Sequence, residues 1–506
     1  MNKMKMPLAL LSFLLLAVAS TIPAAAGILA DAPSAASTAY GPDDFNMHAV
    51  ATALGADRAL GWRNDSSACR DGWTGITCGE GGKVIAIRAR NAGLNGTLPT
   101  EVTLLFALQV LDLRDNGLTG ALPDAVFLEL TNLHIDNNLF TSVPADFLST
   151  ARSLQGFSIS NNTQLQPWEL LHDAHRLTKL RHFIANNAGV SGTLSGFLGN
   201  RSVFPELSIL SLAHNLLTGH VPATFYSRTL HRLDLSSNDL SGPIDFIANL
   251  LGLEELLLDH NSFTGPMPDL SGLWKLQVVD VAHNRLTGVV PASLTDLGLL
   301  NSVSLTGNLF QGPLPELASS VHSDITNAAF NGSFCRTEHG PCDPLVDAFI
   351  AIAGGFQYPE ALAASWKGNH PCAGWLGVNC DDGGVITEVN LCRLGLNGTL
   401  HPAFGTLKTI QALLLAGNNI SGAVPQSIAE LPLLRFQDVS DNSLEGSMPR
   451  FHSGVSIWAQ DGSEHCLKEW RAKTTVKLIT KNFQLCGIHP NFDKLETSFI
   501  GRSEYS

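Results

Sequence analysis

Residues 207–219 read LSILSLAHNLLTG, and the pattern returns at 230–242 (LHRLDLSSNDLSG), 253–265 (LEELLLDHNSFTG) and 276–288 (LQVVDVAHNRLTG). The starts at Leu207, Leu230, Leu253 and Leu276 fall 23 residues apart, and Leu300 follows after 24. Self-similarity at a fixed period of this length means stacked units, none of which can bury its apolar face alone. Each slot has a physical task. The L-x-L piece alternates as a strand does, so its leucines point into the stack and the residues between them line an open, concave face. The Asn side chain can bond backbone groups of the adjoining turn. Gly permits a tight bend, and Pro suits a segment that needs no ladder donor.

The pattern L-x-x-L-x-L-x-x-N-x-L, with its G-x-(I/V/L)-P extension, is that of the plant-type leucine-rich repeat. Upstream units begin at Val84, Leu108, Leu130, Leu154 and Leu180, with Ala92 and Ala188 in the Asn slot, so about ten units fill 84–317. About three more, at Ile386, Ile410 and Leu434, fill 385–452. The interruption between them copies the start of the chain. Trp62 followed by Cys69 and Cys78 precedes the first unit, and Trp366 followed by Cys372 and Cys380 precedes the unit at Ile386. Both stretches run into GLNGTL, at 93–98 and 395–400. A solenoid end exposes a slice of core and needs a cap. Residues 42–83 are therefore expected to be an N-terminal cap, and 318–384 an island holding a second one. The fold class expected is an α/β repeat solenoid: a superhelix in two blocks, mostly short parallel strands, with irregular or 3-10 segments on the convex side.

Composition agrees with a secreted repeat protein and excludes other classes. Only 15% of the 506 residues are charged while 44% are hydrophobic, and the formal charge is −14. Binding to nucleic acid needs clustered cations, so no nucleic-acid partner is expected. Residues 1–26 carry Lys3 and Lys5, an apolar run from Leu8 to Val18, and Ala24 to Ala26, the pattern of a secretory signal peptide. No later stretch is apolar enough for a membrane span. Secretion makes the nine cysteines disulfide candidates, with Cys69/Cys78, Cys335/Cys342 and Cys372/Cys380 close in sequence and Cys392, Cys466 and Cys486 left over. Sequons for N-glycosylation begin at Asn64, Asn95, Asn161, Asn200, Asn331, Asn397 and Asn419.

The two-block arrangement resembles the extracellular half of plant receptor-like kinases of the transmembrane kinase (TMK) subfamily. The stretches that carry the likeness are SGTLSGFLG at 191–199, FPELSILSLAHN at 204–215, Cys342-Asp-Pro, and YPEALAASWKGNHPC at 358–372. They lie within 42–452. The resemblance implies a cell-surface signalling ectodomain with links to auxin responses, growth and wall acidification. The chain departs from that family after Arg450, where residues 453–506 form a divergent tail with nothing periodic. That tail is either a true secreted isoform end, or translated intron or a truncated gene model. The sequence holds no Gly-rich nucleotide loop, H-R-D or D-F-G triplet, the parts that hold phosphates, magnesium and a substrate hydroxyl.

Other catalytic constellations are absent from the sequence, and no cofactor or metal site is expected. Asp43-Asp44 and Asp381-Asp382 read as solvated turns. The concave face is more informative. His214, His260 and His283 share the slot before the ladder Asn, with Ser237 between the first two, and Asp234, Asp259 and Asp280 lie on the same strands. Neighbouring strands are about 4.8 Å apart, which makes these six residues a candidate partner-binding face whose histidines titrate near neutrality. A glycan on Asn161 would cover part of that face. Cys392 points outward as a candidate free thiol or an incidental substitution. The function expected is binding of an extracellular protein or peptide ligand, or of a receptor-kinase co-receptor, in the apoplast or at the cell surface, without catalysis. The alternatives are a wall protein of the inhibitor type, against which the duplicated cap argues, and a truncated receptor-kinase product with no function of its own.

Overall fold

The computed structural model describes residues 41–459, apart from 125, 126, 146, 149, 171–176, 199–203 and 326–333. The signal peptide, most of the tail, Cys466, Cys486 and the sequons at Asn200 and Asn331 lie outside the described residues.

Twelve strands form one sheet, from Ile76–Cys78 and Val84–Arg88 to His322–Asp324. The first pair is antiparallel and the pairs after it are parallel. The register advances by one repeat per strand, so Leu210, Leu233, Leu256, Val279 and Val303 stand side by side, all buried. A further five-stranded sheet carries the later units, from Val378–Cys380 to Ser456–Trp458. The T-G part of the repeat makes another parallel sheet, seven strands from Trp168–Glu169 to Leu309–Gln311.

The ladder asparagines rivet neighbouring units. Asn215 Nδ2 donates to Leu212 O and Ala213 O in its own turn, at 2.9 and 3.1 Å, and to Ala185 O of the preceding unit at 2.7 Å. Its Oδ1 accepts from the backbone N–H groups of Ala188 and Val190. Asn116, Asn284 and Asn418 make equivalent cross-unit bonds. One amide thus reaches five backbone groups, its two hydrogens shared among three carbonyls. Leu212 O and Ala213 O have further donors, while the other three groups would cost about 1–3 kcal/mol each if left unpaired.

Two caps with the same inner construction head the two cores. In the first, helix α1 (Asp44–Leu54) precedes Trp62, which stacks on Trp73 at 5.5 Å and 18°, beside the Cys69–Cys78 disulfide. In the second, helices α2 (Pro344–Gly355) and α3 (Glu360–Ser365) precede Trp366, stacked on Trp375 at 5.8 Å and 13°, beside Cys372–Cys380. A third disulfide joins Cys335 to Cys342. Both caps turn on a glycine. Gly75 (φ 82°) and Gly377 (φ 72°) lie so close to the strand they face that a Cβ would fall 2.2 Å from Arg88 O and 2.1 Å from Asn390 O. No other residue fits there.

The caps differ outside. The second docks on the first set of units: Thr287 Oγ1 donates to Tyr358 O at 2.8 Å, Gln311 Nε2 to Trp366 O at 3.0 Å, and Arg285 lies 3.7 Å from Glu360. The Tyr358 ring covers Gly288.

Three expectations change. Asp43 and Asp44 are buried rather than solvated. Asp43 accepts from the Val84 N–H at 2.7 Å, and Asp44 from Ser67 Oγ and the Ala68 N–H at 3.0 Å each, so they fasten the cap to the first strand. The concave sheets run past both expected block ends, because His322–Asp324 pairs with Ser302–Ser304 and Ser456–Trp458 with Phe436–Asp438. The last strand of a solenoid leaves a row of open N–H and C=O groups, and any extended segment that follows can pair with it without repeat-like side chains. Cys392 is half-buried and disulfide-bonded rather than a free thiol.

Candidate functional site

The slot before the ladder Asn is a corner of the backbone. It takes the left-handed conformation from Asn91 (φ 50°) to Asp441 (φ 52°), including His214 (56°), Ser237 (53°), His260 (54°) and His283 (52°). Asn, Asp and His tolerate that region better than other side chains, so a local backbone demand accounts for residue type at this slot. The corner also aims these side chains along the rim of the concave face.

The six candidate residues do not form one patch. Asp234 is buried, and its carboxylate bonds Ser236 Oγ at 2.8 Å, Arg232 at 3.1 Å and Ser211 Oγ at 3.3 Å, while Arg232 also pairs with Glu255. Its acceptors are used within the sheet. Asp259 belongs to the slot after the strand, since the register places Leu257 between Asp234 and Asp280. His214 is exposed, two units before His260. The remaining four gather. The His260 and His283 rings lie 4.5 Å apart at 33°, and His260 Nδ1 stands 2.9 Å from Asp259 Oδ2. Burial raises the pKa of Asp280 above the ordinary carboxylate range, and the charges of Asp259 and Asp324 add to it, while the Ala282 N–H and His260 pull the other way. Among the described residues no cluster of three or more His, Cys, Asp or Glu is arranged to hold a metal ion.

A second concave feature escaped the motif search. A hollow of about 320 Å³ opens over the first five units, lined by Arg90, Arg114, His134, Asp136, Ser158 and Ile184 among others. Its walls are tightly paired. Arg114 chelates Asp112 at 2.9 and 2.7 Å, and Arg90 reaches Asp115 at 2.6 Å. Burial opposes ionisation of Asp112, but hydrogen bonds from the Arg114 guanidinium and backbone outweigh it and hold the carboxyl below its usual range. Burial and then the Arg114 charge push His134 down, favouring its neutral ring. The signal that would have found the hollow is a pair of small side chains, Ser158 and Ser160, at open-face slots where neighbouring units carry larger ones.

The sequon asparagines Asn64, Asn95, Asn161, Asn397 and Asn419 are exposed. Asn161 lies on the rim of the hollow, its Nδ2 donating to Asn137 Oδ1 at 2.9 Å. Asn397 and Asn419 face each other across paired strands.

A family model of the leucine-rich repeat N-terminal domain matches residues 49–79 and again 346–381, and a leucine-rich repeat model matches 107–127 and 275–297. Receptor-like kinase TMK2 of Arabidopsis thaliana is 36% identical over 378 residues, 73% of this chain and 42% of that protein. Receptor protein kinase WSS1 of Oryza sativa subsp. japonica is 39% identical over 435 residues, 80% of this chain and 42% of that protein. The chain thus spans less than half the length of these relatives. Among solved structures, that of the Arabidopsis receptor kinase HAESA with the peptide hormone IDA and the co-receptor SERK1 is 20% identical, covers 83% of this chain and 73% of that one, and has a TM-score of 0.33. No helix among the described residues is long and apolar enough to cross a membrane. The chain is thus a leucine-rich-repeat protein that is similar, over most of its own length, to the TMK receptor-like kinases.

Proposed function

We propose that this chain is a ligand-holding receptor ectodomain that acts in the apoplast or at the cell surface. It binds an extracellular protein, peptide or co-receptor on its concave face and catalyses nothing itself. The observation that carries this reading is the long parallel sheet, whose open side presents carboxylate, guanidinium and imidazole groups in fixed columns. A rigid array of this kind suits recognition of an extended partner, since little ordering entropy is lost on its side. Kinship with receptor kinases supports a signalling role, and the TMK likeness supports an auxin- and growth-related setting. The cluster of Asp259, His260, Asp280 and His283 is a candidate contact, as are glycans on the exposed sequons for solubility and shielding.

The test is capture from apoplastic fluid. The immobilised chain is compared with a control in which Asp136, Asp259, His260, Asp280 and His283 are replaced by Ser. The native face is expected to retain at least one protein or peptide that the control loses. Recovery of the same proteins by both, or of none, rejects the proposal.

A further inference from the structure

We infer that the hollow over the first five units receives a single basic group of a polypeptide partner, a Lys or Arg side chain or a terminal amine, with Asp136 as its counter-ion. This rests on the reading of the concave face as a partner-binding surface and names the chemistry of one contact on it.

The hollow exists because two neighbouring open-face slots, at Ser158 and Ser160, carry only a small hydroxyl side chain. Gly156 stands between Asn132 and His182, and Ser158 between His134 and Ile184. Ser160 fills the next slot. At Gly156 the space is taken by the Asn132 side chain, since a Cβ there would lie 2.7 Å from Asn132 Nδ2, so the opening lies over Ser158 and Ser160. The half-buried Ile184 supplies an apolar boundary along which the methylene stem of a long cationic side chain can lie.

Charge selects the occupant. Arg90 is matched by Asp115 and Arg114 by Asp112. Asp136 is the remaining carboxylate, and its bonded donors are neutral: the Ser158 hydroxyl, and the Ser160 N–H at 2.9 Å. A carboxylate has roughly four acceptor positions, so capacity is left over. Two guanidinium groups against three carboxylates leave one negative charge in surplus.

The tautomer of His134 adds a second acceptor. Ser158 gives its only hydroxyl hydrogen to Asp136, so in its 2.8 Å contact with His134 Nδ1 the Ser158 oxygen accepts. Nδ1 then carries the ring proton, and Nε2 is left as an acceptor. A site that is acceptor-rich and negative by one charge suits an ammonium or guanidinium group and rejects a carboxylate. Sugar hydroxyls could bond the acceptors but would leave the charge uncompensated.

Saturation-transfer NMR on the full chain at low salt tests this with N-acetyl-arginine amide and N-acetyl-lysine amide as probes. N-acetyl-glutamate amide and chitotetraose are the competitors. The Thr163→Ala variant, which removes the Asn161 sequon, is measured alongside, because a glycan there would screen the hollow. At least one basic probe is expected to bind, about tenfold more weakly to Asp136→Asn, and to be excluded by Ser160→Leu, which fills the space and keeps the charge. Thermal melts show whether each variant is folded. Binding of the acidic or sugar probe in place of the basic ones, absence of binding in both the native chain and Thr163→Ala, or basic-probe binding undiminished in folded Asp136→Asn overturns the inference. If apoplastic capture succeeds and Asp136→Asn retains the captured partner, the hollow fails while the receptor reading stands. If capture fails altogether, that reading fails and the probe result still judges the hollow.

Discussion

Asp112 and Asp280 occupy the same slot of the repeat, each between two inward apolar residues, Leu111 and Leu113 in one case and Val279 and Val281 in the other. Their surroundings send them in opposite directions. Asp112 is held below the ordinary carboxylate range and Asp280 is lifted above it. Both feel the burial of the concave sheet, which favours the neutral acid. What differs is the residue two places on: Arg114 chelates Asp112, whereas Ala282 offers Asp280 only its backbone N–H at 3.1 Å. The lateral neighbours differ too, since Asp259 and Asp324 add negative charge near Asp280. The repeat therefore decides where a carboxylate stands, and the open-face slots decide its charge. Two regions of one sheet become chemically distinct without any change of fold.

The largest effect is expected from removing the partner. Arg114→Ala leaves Asp112 desolvated and unpaired, and should lower the unfolding free energy by about 1–2 kcal/mol at pH 7. That is the low end for a charged hydrogen-bonded pair, because Arg114 reaches solvent. Urea unfolding followed by tryptophan fluorescence measures it. Carboxyl NMR titration should show Asp112 moving up toward the behaviour of Asp280. A variant as stable as the native chain would mean that the ion pair does not cause the difference.

Neutralising each carboxylate should give effects of opposite sign. Asp112 has a depressed folded pKa, so the stability it contributes is present above its unfolded pKa and is lost as pH falls through the folded value. Asp112→Asn should therefore destabilise at pH 7, with the loss vanishing in strong acid. Asp280 has a raised folded pKa, so its ionisation is a penalty above that value and absent below the unfolded one. Asp280→Asn should stabilise by roughly 0.5–1 kcal/mol at pH 7, and the gain should disappear near pH 3. Melting temperatures across that range decide the matter; equal signs at pH 7 would break the comparison.

The parts of this picture that the sequence made legible are those repeated in register. Leucines at Leu207, Leu230, Leu253 and Leu276 announce strands because each unit confirms the next, and the paired Trp–Cys stretches announce caps. What stayed hidden depends on contacts that no repeat period encodes. Asp43 and Asp44 look like turn residues until Val84 and Ser67 close on them. His322–Asp324 has three exposed polar residues and becomes a strand only because an open sheet edge lies beside it. The histidine slot promised a single face, but its corner geometry was invisible in a pattern of letters. The hollow needed a comparison across strands, Ser158 against His134 and Ile184, rather than a motif along one.

The smallest effect is the sharpest test of the rule drawn from Asp112 and Asp280. Ala282→Arg places a guanidinium where Arg114 stands relative to Asp112. If the residue two places on governs the charge, Asp280 should fall toward the range of Asp112, and stability should rise by about 0.5 kcal/mol at pH 7. The neighbouring strand provides competition, because Asp259 fills the corresponding slot one unit earlier and already contacts His260. A guanidinium drawn to Asp259 would leave the Asp280 titration high and release His260 from its carboxylate, which the imidazole proton shifts would report. The two results separate two ways of writing charge onto a solenoid. In the first, each strand sets its own carboxylate. In the second, charges are shared sideways between units, and the histidine pair belongs to an electrostatic unit wider than one repeat.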